Sequence, residues 1–538
     1  MVLARLDREA GCMAQFPSRL RRPRATAITL GVVAAAVGML TVLGGCGVTG
    51  GGTIDTVGRV AFERPLAIPP LAQSSLDAVG RRVFDLTARQ GVSRFLPGVD
   101  TTTWGYATGA DESAFLGPTL RATRGERVVV NVHNRLREES TVHWHGMHLP
   151  ARMDGGPHQV IQPGDTWSPT WRIDQPATTL WYHPHPHGET ERQVTMGLAG
   201  MFIIDDPLEA ALPLPRAYGV DDFPLIVQDV RFTDAGQLAT STRGFIGPIG
   251  DRLLVNGTLG PYLVVTTDVV RLRLLNASAA RVYNFELSDG RDIALIGTDG
   301  GLLETPYETG AIQLSPGERA EVLVRMKAGE SVTLRSARPD LGVPGMIAGA
   351  NAGNDTLDVL ELRAAGTLAT AGTVPAALAS MPPVSAADAT VRRHFRLDGF
   401  NINDRQMDLG RIDEAVELGA RELWTVTNAV SLPHSFHVHG AQFRIASIGG
   451  QPPGPELAGW KDTVYLRPDT EYRLVMRFTD YTDPDFPYMY HCHLLWHEDL
   501  GMMGQFVVVK PGEHAGTPPT THDRKTPADL QGDRHAHH

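Results

Sequence analysis

The sequence predicts an all-β protein made of three related sandwich domains, and three observations carry that prediction. Short runs rich in Val, Leu, Ile and Thr recur along the chain: RVVVNVHNRL, MFIIDDP, RLLVNGTLGPYLVV, VVRLRLLNASA, AEVLVRM, SVTLRSA, ELWTVTNAV, YRLVMRF and QFVVVKPGE. Their length and patterning are those of strands in packed sheets. The 57 Gly and 38 Pro of the 538 residues supply the turns between them. A phrase of strand, asparagine and small or polar residue recurs as RVVVNVHN, VVRLRLLNAS and RELWTVTNAV, each opening a region of comparable length.

In chain order, residues 1–48 read as an export signal, a lipoprotein signal or an anchor. Arg19, Arg21, Arg22 and Arg24 precede the apolar run ATAITLGVVAAAVGMLTVLGG, which ends in LGGC at Cys46. The LGGC end resembles a lipoprotein signal and the Arg21-Arg22 pair a twin-arginine signal. An uncleaved membrane span is the third reading, because the run is close to bilayer length. All three place the domains outside the cytoplasm, in the periplasm or on the outer face of the envelope. Residues 49–79 read as a linker, its GVTGGGTIDTVGR start as a flexible tether. Domain 1 is expected over 80–208 and domain 2 over 209–385, including an Ala-, Thr-, Ser- and Pro-rich linker from about Ala364 to Ala389. Domain 3 is expected over 386–512, and 513–538, ending in HAHH, as a disordered tail.

A formal charge of -11 leaves no broad basic surface, which argues against nucleic acid as a partner. Nothing in the sequence speaks to oligomeric state. The chain has three cysteines, and Cys12 and Cys46 fall in the N-terminal signal, so Cys492 is the lone thiol of the domains. An unpaired thiol in an exported protein calls for a metal or inert burial. Its setting, YMYHCHLLWHEDLGMM, favours the metal.

Eleven of the 20 histidines fall in four clusters: HWHG, WYHPHPHG, HSFHVHG and HCHLLWH. Residues two apart on a strand share a face, so His143/His145, His183/His185, His437/His439 and His491/His493 form four pairs. Eight imidazoles meeting in one place suit about three copper ions with room for a small ligand. Cys492 faces opposite to its two histidine neighbours. His434 lies an odd step before His437 and so shares the Cys492 face, and His497 can fold back to join them. A thiolate, two imidazoles and a long thioether, from Met502 or Met503, make the ligand set of a blue electron-transfer copper. One strand then serves two sites. His187 reads as an extra surface or outlying histidine.

These residues resemble the multicopper oxidases, the family of laccases, bilirubin oxidases and bacterial cuprous oxidases. The resemblance covers roughly residues 80–511, including NASAARVYNFELSDGRDIALIGTDGGLLETP and SPGERAEVLV of the middle region, which carry no metal chemistry of their own. It implies three cupredoxin-like Greek-key sandwiches and four copper ions. His434, Cys492, His497 and Met502 would hold the type 1 ion, His143 and His437 the type 2 ion. His145, His183, His185, His439, His491 and His493 would hold the type 3 pair. Asp154 in MDGGPH and Glu498 after His497 match the family's acids near the cluster, which dioxygen reduction needs as proton suppliers. Asp462 in GWKDT is expected to orient a type 1 histidine.

The activity implied is one-electron oxidation of phenolic or similar small-molecule donors coupled to reduction of dioxygen to water, each donor meeting an exposed edge of a type 1 histidine. A cuprous oxidase for copper tolerance is the alternative. Its methionine-rich insert is missing, since only Met346 and Met381 fall between about 330 and 400, and NAVSLPH before His434 lacks capture residues. The other classes are a non-catalytic copper-binding protein and a structural cell-division relative that has lost its ligands, against which the intact ligand set argues.

Overall fold

The structure, a computed structural model, describes residues 53–109, 114–240 and 244–519. The expected signal with Cys46 and the HAHH end of the tail lie outside the described residues. No helix among the described residues is long and apolar enough to cross a membrane.

Among the described residues strands dominate, and they form six sheets. In the first sandwich a sheet containing Arg82–Ser93 and Arg127–Asn134 faces one containing His143–His145, Thr178–His183 and Gly200–Asp205. Phe84, Leu86 and Val130 from one side meet Trp144, Tyr182 and Phe202 from the other. The second sandwich packs Asp222–Val230, Val269–Asn276 and Arg319–Arg325 on Pro261–Thr267, Ser331–Ala337 and Leu357–Ala369. The third packs Val391–Asp398, Arg421–Asn428 and Glu471–Arg477 on His434–Val438, Asp483–Cys492 and Met503–Val509. Each pair encloses its own apolar core. Strand Leu357–Ala369 runs into the stretch expected to be the Ala364–Ala389 linker, because its pairing with Pro261–Thr267 continues to Ala369.

The recurring asparagine has a structural cause. Asn134, Asn276 and Asn428 each end a strand in a buried position. The side-chain oxygen of each accepts the N–H two residues on, and the amide donates to a carbonyl four or five residues on and to a second carbonyl farther along. A side chain that satisfies three backbone groups where a central strand leaves its sheet is required once per sandwich. That is why the phrase repeats.

The expected linker 49–79 departs from expectation wherever it is described. Thr56 N–H donates to Thr356 O at 2.9 Å and Gly58 N–H to Asp358 at 2.7 Å. Arg64–Pro65 adds a parallel strand beside Pro261–Tyr262, and Leu66 is buried in the second core. Ser74–Leu76 then joins the first sandwich. The segment is a strap across two domains, fixed by backbone pairing that its Gly-rich start does not announce. The tail also stays attached through its first residues, Gly516 N–H donating to Pro484 O at 2.8 Å.

Candidate metal centre

Strand alternation builds the centre. Across the first sandwich Trp181 pairs with His145, Tyr182 with Trp144 and His183 with His143. Directly paired residues share a face, so Trp144 and Tyr182 enter the core while His143, His145 and His183 point outward. The third sandwich repeats this: Phe436 pairs with Cys492 and Val438 with Tyr490, all in its core, while His437 pairs with His491. The outward histidines of the two sandwiches meet. His185, two residues past the strand end at His183, is held by donation of its N–H to Thr141 Oγ1 at 2.6 Å.

Three groups of ring nitrogens within 4.8 Å result: His145, His183 and His493; His185, His439 and His491; and His143, His145 and His437. All eight histidines are buried. Their protons are set by acceptors that cannot donate. Nδ1–H of His143 donates to Asp154 O at 3.0 Å, of His437 to Asp462 O at 2.8 Å, and of His183 to Pro184 O at 2.9 Å. Nε2 of each then carries a lone pair, and all three Nε2 atoms are buried without a hydrogen-bond partner. His439 Nδ1–H donates to Asp154 Oδ2 at 2.7 Å, so its Nε2 faces His491 Nε2 at 3.2 Å, lone pair to lone pair. Such an arrangement is stable only around cations, so the residues fit bound metal.

On the core side, His434 Nδ1 lies 3.1 Å from His497 Nδ1, and Cys492 Sγ lies 3.5 Å from each. The centre of that triangle is about 2 Å from its corners, a metal–ligand distance. Met502 is buried in the core that contains Cys492, and Cys492 N–H donates to Met502 O at 3.0 Å. Met503 pairs with His491 and shares its face instead. Burial pushes the Cys492 thiol up to about 12, so a thiolate there needs a cation beside it.

Asp154 is almost fully buried, its Oδ1 3.5 Å from His143 Nδ1. A Cβ at the following Gly155, φ 83°, would fall 1.7 Å from Val142 O, so only glycine lets this turn approach the His143 strand. Glu498 is equally buried, its two oxygens 3.3 Å from His185 Nδ1 and from His491 Nδ1. Burial holds both carboxyls well above the ordinary range. His187 is exposed and joins neither site.

Two expectations are corrected. The histidines expected at a type 1 site present no exposed edge: His434 and His497 are buried, and His497 Nε2–H donates to Phe245 O at 3.0 Å under a loop from the middle domain. Asp462 touches no type 1 residue; its Oδ1 lies 3.0 Å from His145 Nε2. The middle-region phrase SPGER, expected to carry no metal chemistry of its own, supplies no ligand but sets Gly317 against His493 and Arg319 against Asp462. Nothing in the spacing of these residues marks them. Trp181, stacked on His183 with ring centroids 4.1 Å apart, was also missed.

Burial lowers the histidines, His493 to about 3 and His497 to about 4. An unfolded chain protonates them near 6.5, so the folded state binds fewer protons and loses stability as pH falls below that value. Asp154, Asp299, Glu498 and Asp499, raised by burial, act in the opposite sense but are fewer than the lowered histidines. The thermal midpoint of metal-free protein should drop from about pH 7.5 to about pH 5.5, and that of copper-loaded protein should drop less. A flat metal-free profile over this interval would mean that the rings are not held neutral.

Three family models described as multicopper oxidase match residues 93–209, 220–333 and 380–512. Cell division protein FtsP of Salmonella typhimurium is 36% identical over 450 residues, 83% of this chain and 93% of that protein. Multicopper oxidase mco of Staphylococcus epidermidis is 33% identical over 457 residues, with the same two coverages. Among solved structures, a laccase from Pediococcus acidilactici superposes with TM-score 0.75 at 33% identity, covering 84% of this chain and 94% of its own. The laccase-like multicopper oxidase CueO from Ochrobactrum does so with TM-score 0.74 at 35% identity, covering 83% and 100%. Three matched segments spanning all three sandwiches, around histidines whose free nitrogens converge, establish that the chain belongs to the multicopper oxidases, a family of copper-binding oxidoreductases.

Proposed function

We propose that the protein is a laccase-like oxidase that takes single electrons from phenolic or similar donors and reduces dioxygen to water. The observation that carries this reading is the alternation along one strand: Cys492 faces His434 and His497, while His491 and His493 face the eight-histidine junction. In this reading His434, Cys492, His497 and Met502 would hold a type 1 copper, Met502 being supported by its place in the Cys492 core. His143 and His437 hold a type 2 ion. The grouping supports His145, His183 and His493 for one type 3 ion and His185, His439 and His491 for the other, four coppers in all. Bound copper supplies one-electron storage and the site of oxygen reduction.

The chain's own part is to connect and to supply protons. Cys492 is bonded through the backbone to His491 and His493, so the two sites would be joined through one residue in either direction. Asp154 fixes His439, and Glu498 holds a proton beside His185 and His491. Donors meet the covered His497 through the Phe245 carbonyl and not at a bare ring edge, and the Phe245 side chain is 60% exposed at that point. Without a methionine-rich cover, organic donors are favoured over metal ions, in an exported protein.

The test is oxygen uptake by fully copper-loaded protein with a panel of phenols, with and without surplus Cu(II). Phenols should be oxidised at a rate that surplus copper changes by less than about two-fold, below one-half kcal/mol of barrier. Strong, reversible activation by copper would favour a cuprous oxidase. The relatives named cell division protein support a second reading, a role in binding other proteins. A chain that loads copper yet consumes no oxygen with any donor would leave that reading in possession.

A further inference from the structure

We propose that Asp462 is a positioning residue that decides which nitrogen of His145 faces the copper cluster, and that the middle domain holds it in place through Arg319. The inference rests on the ligand assignment above.

His143, His183, His437, His439 and His491 all have Nδ1 against an oxygen and present Nε2. His145 is turned the other way. Its Nδ1 lies 3.2 Å from His493 Nε2, inside the group, and its Nε2 lies 3.0 Å from Asp462 Oδ1. A carboxylate accepts and does not donate, so Nε2 carries the proton and Nδ1 the lone pair. In a free imidazole the two tautomers differ little, and a ring protonated on Nδ1 would offer the cluster no ligand. Asp462 removes that choice. The same residue sets His437 through its backbone carbonyl, so one position fixes a histidine from the first sandwich and one from the third.

Asp462 is itself fixed from the second sandwich. Arg319 Nη1 donates to Oδ1 at 2.8 Å and Nη2 to Oδ2 at 2.7 Å, a two-pronged pairing, and Thr463 Oγ1 donates to Oδ1 at 2.9 Å. The remaining donor positions of Arg319 are also used, Nε reaching Thr179 O at 3.0 Å and Nη2 reaching Asp299 O at 2.9 Å. All of these residues are buried. In the same loop a Cβ at Gly317, φ 85°, would come 2.9 Å from the His493 ring, so the turn that carries Arg319 also closes the wall behind His493. The middle domain therefore contributes no ligand but determines how a ligand is presented.

The test is Asp462→Asn beside wild type. The amide must set a donor against Arg319 or against His145, so the tautomer of His145 is no longer enforced. We expect the blue colour per chain to stay, since the type 1 ligands lie elsewhere, while copper per chain falls and oxygen uptake drops about 10- to 100-fold. Thr463→Val, which removes a hydroxyl shared by Asp462, His145 and His437 but keeps the charge pair, should give a smaller loss of the same kind. It decides the matter if Asp462→Asn does not fold. Unchanged copper content and oxygen uptake in the variant would overturn the proposal. So would parallel loss of colour, copper and metal-free melting temperature, which marks a domain staple. A wild type that is neither blue nor oxygen-consuming would instead overturn the functional reading itself.

Discussion

Replacing Cys492 with Ser abolishes the blue colour and the oxidase activity while leaving the fold in place. The thiolate–copper bond is the source of the intense absorption of such sites, and a serine hydroxyl at the same position has no comparable donor orbital. The substitution is nearly isosteric at a fully buried position, and the new hydroxyl can donate to the Nδ1 of His434 or His497, each 3.5 Å from the present sulfur. Copper at the eight-histidine junction should remain, because His491 and His493 point away from this pocket. The measurements are visible absorption, copper content and oxygen uptake on one preparation. Persistence of the blue band in Cys492→Ser would mean that the electron-accepting site is elsewhere. A loss of all copper would mean that the two sites are not separable as the alternating strand implies.

What could be read in the sequence was local and periodic. The pairing of His143 with His145 or His491 with His493 follows from the two-residue repeat of a strand, and the opposite facing of Cys492 follows from the same rule. The repeated asparagine pointed to three sandwiches because each one needs the same side chain at the same strand exit. Contacts made across domains had no such signature. Asp462 meets a histidine 317 residues away, and its neighbours in GWKDT give no hint of the direction. Arg319 reads as one of many strand arginines, yet its guanidinium reaches all three sandwiches. The cover on His497 is a backbone carbonyl, which any residue at position 245 would provide, so composition cannot reveal it. The strap over residues 54–66 is likewise held through its backbone groups, which its sequence does not announce.

Glu498→Gln slows turnover by about two to four orders of magnitude with colour and copper content nearly unchanged. Reduction of dioxygen to water consumes protons at a place walled by neutral imidazoles, which have none to spare once their lone pairs are engaged. Glu498 is the buried carboxyl that touches two of those rings without fixing either: His491 already donates Nδ1–H to Cys492 O at 3.2 Å, and His185 is held by its backbone N–H. Replacing its carboxyl with an amide therefore leaves the rings positioned. Burial raises Glu498 well above the ordinary carboxylate range, which favours a bound proton there and suits a group expected to give one up and regain it in turnover. Asp499 next to it, raised to about 7 mainly by burial and only partly covered, receives N–H bonds from Thr190 and Glu191 and is the neighbouring carboxyl expected to pass that proton on. Glutamine keeps the shape and cannot cycle a proton, which is the reason for expecting a loss in the range of a missing general acid. Asp154→Asn should differ in kind, because Asp154 also accepts from His439 Nδ1, so copper content should fall along with rate. The decisive comparison is turnover against copper content and colour for the two variants side by side. A Glu498→Gln protein that turns over at the wild-type rate, or that fails to load copper, would remove Glu498 from the proton route.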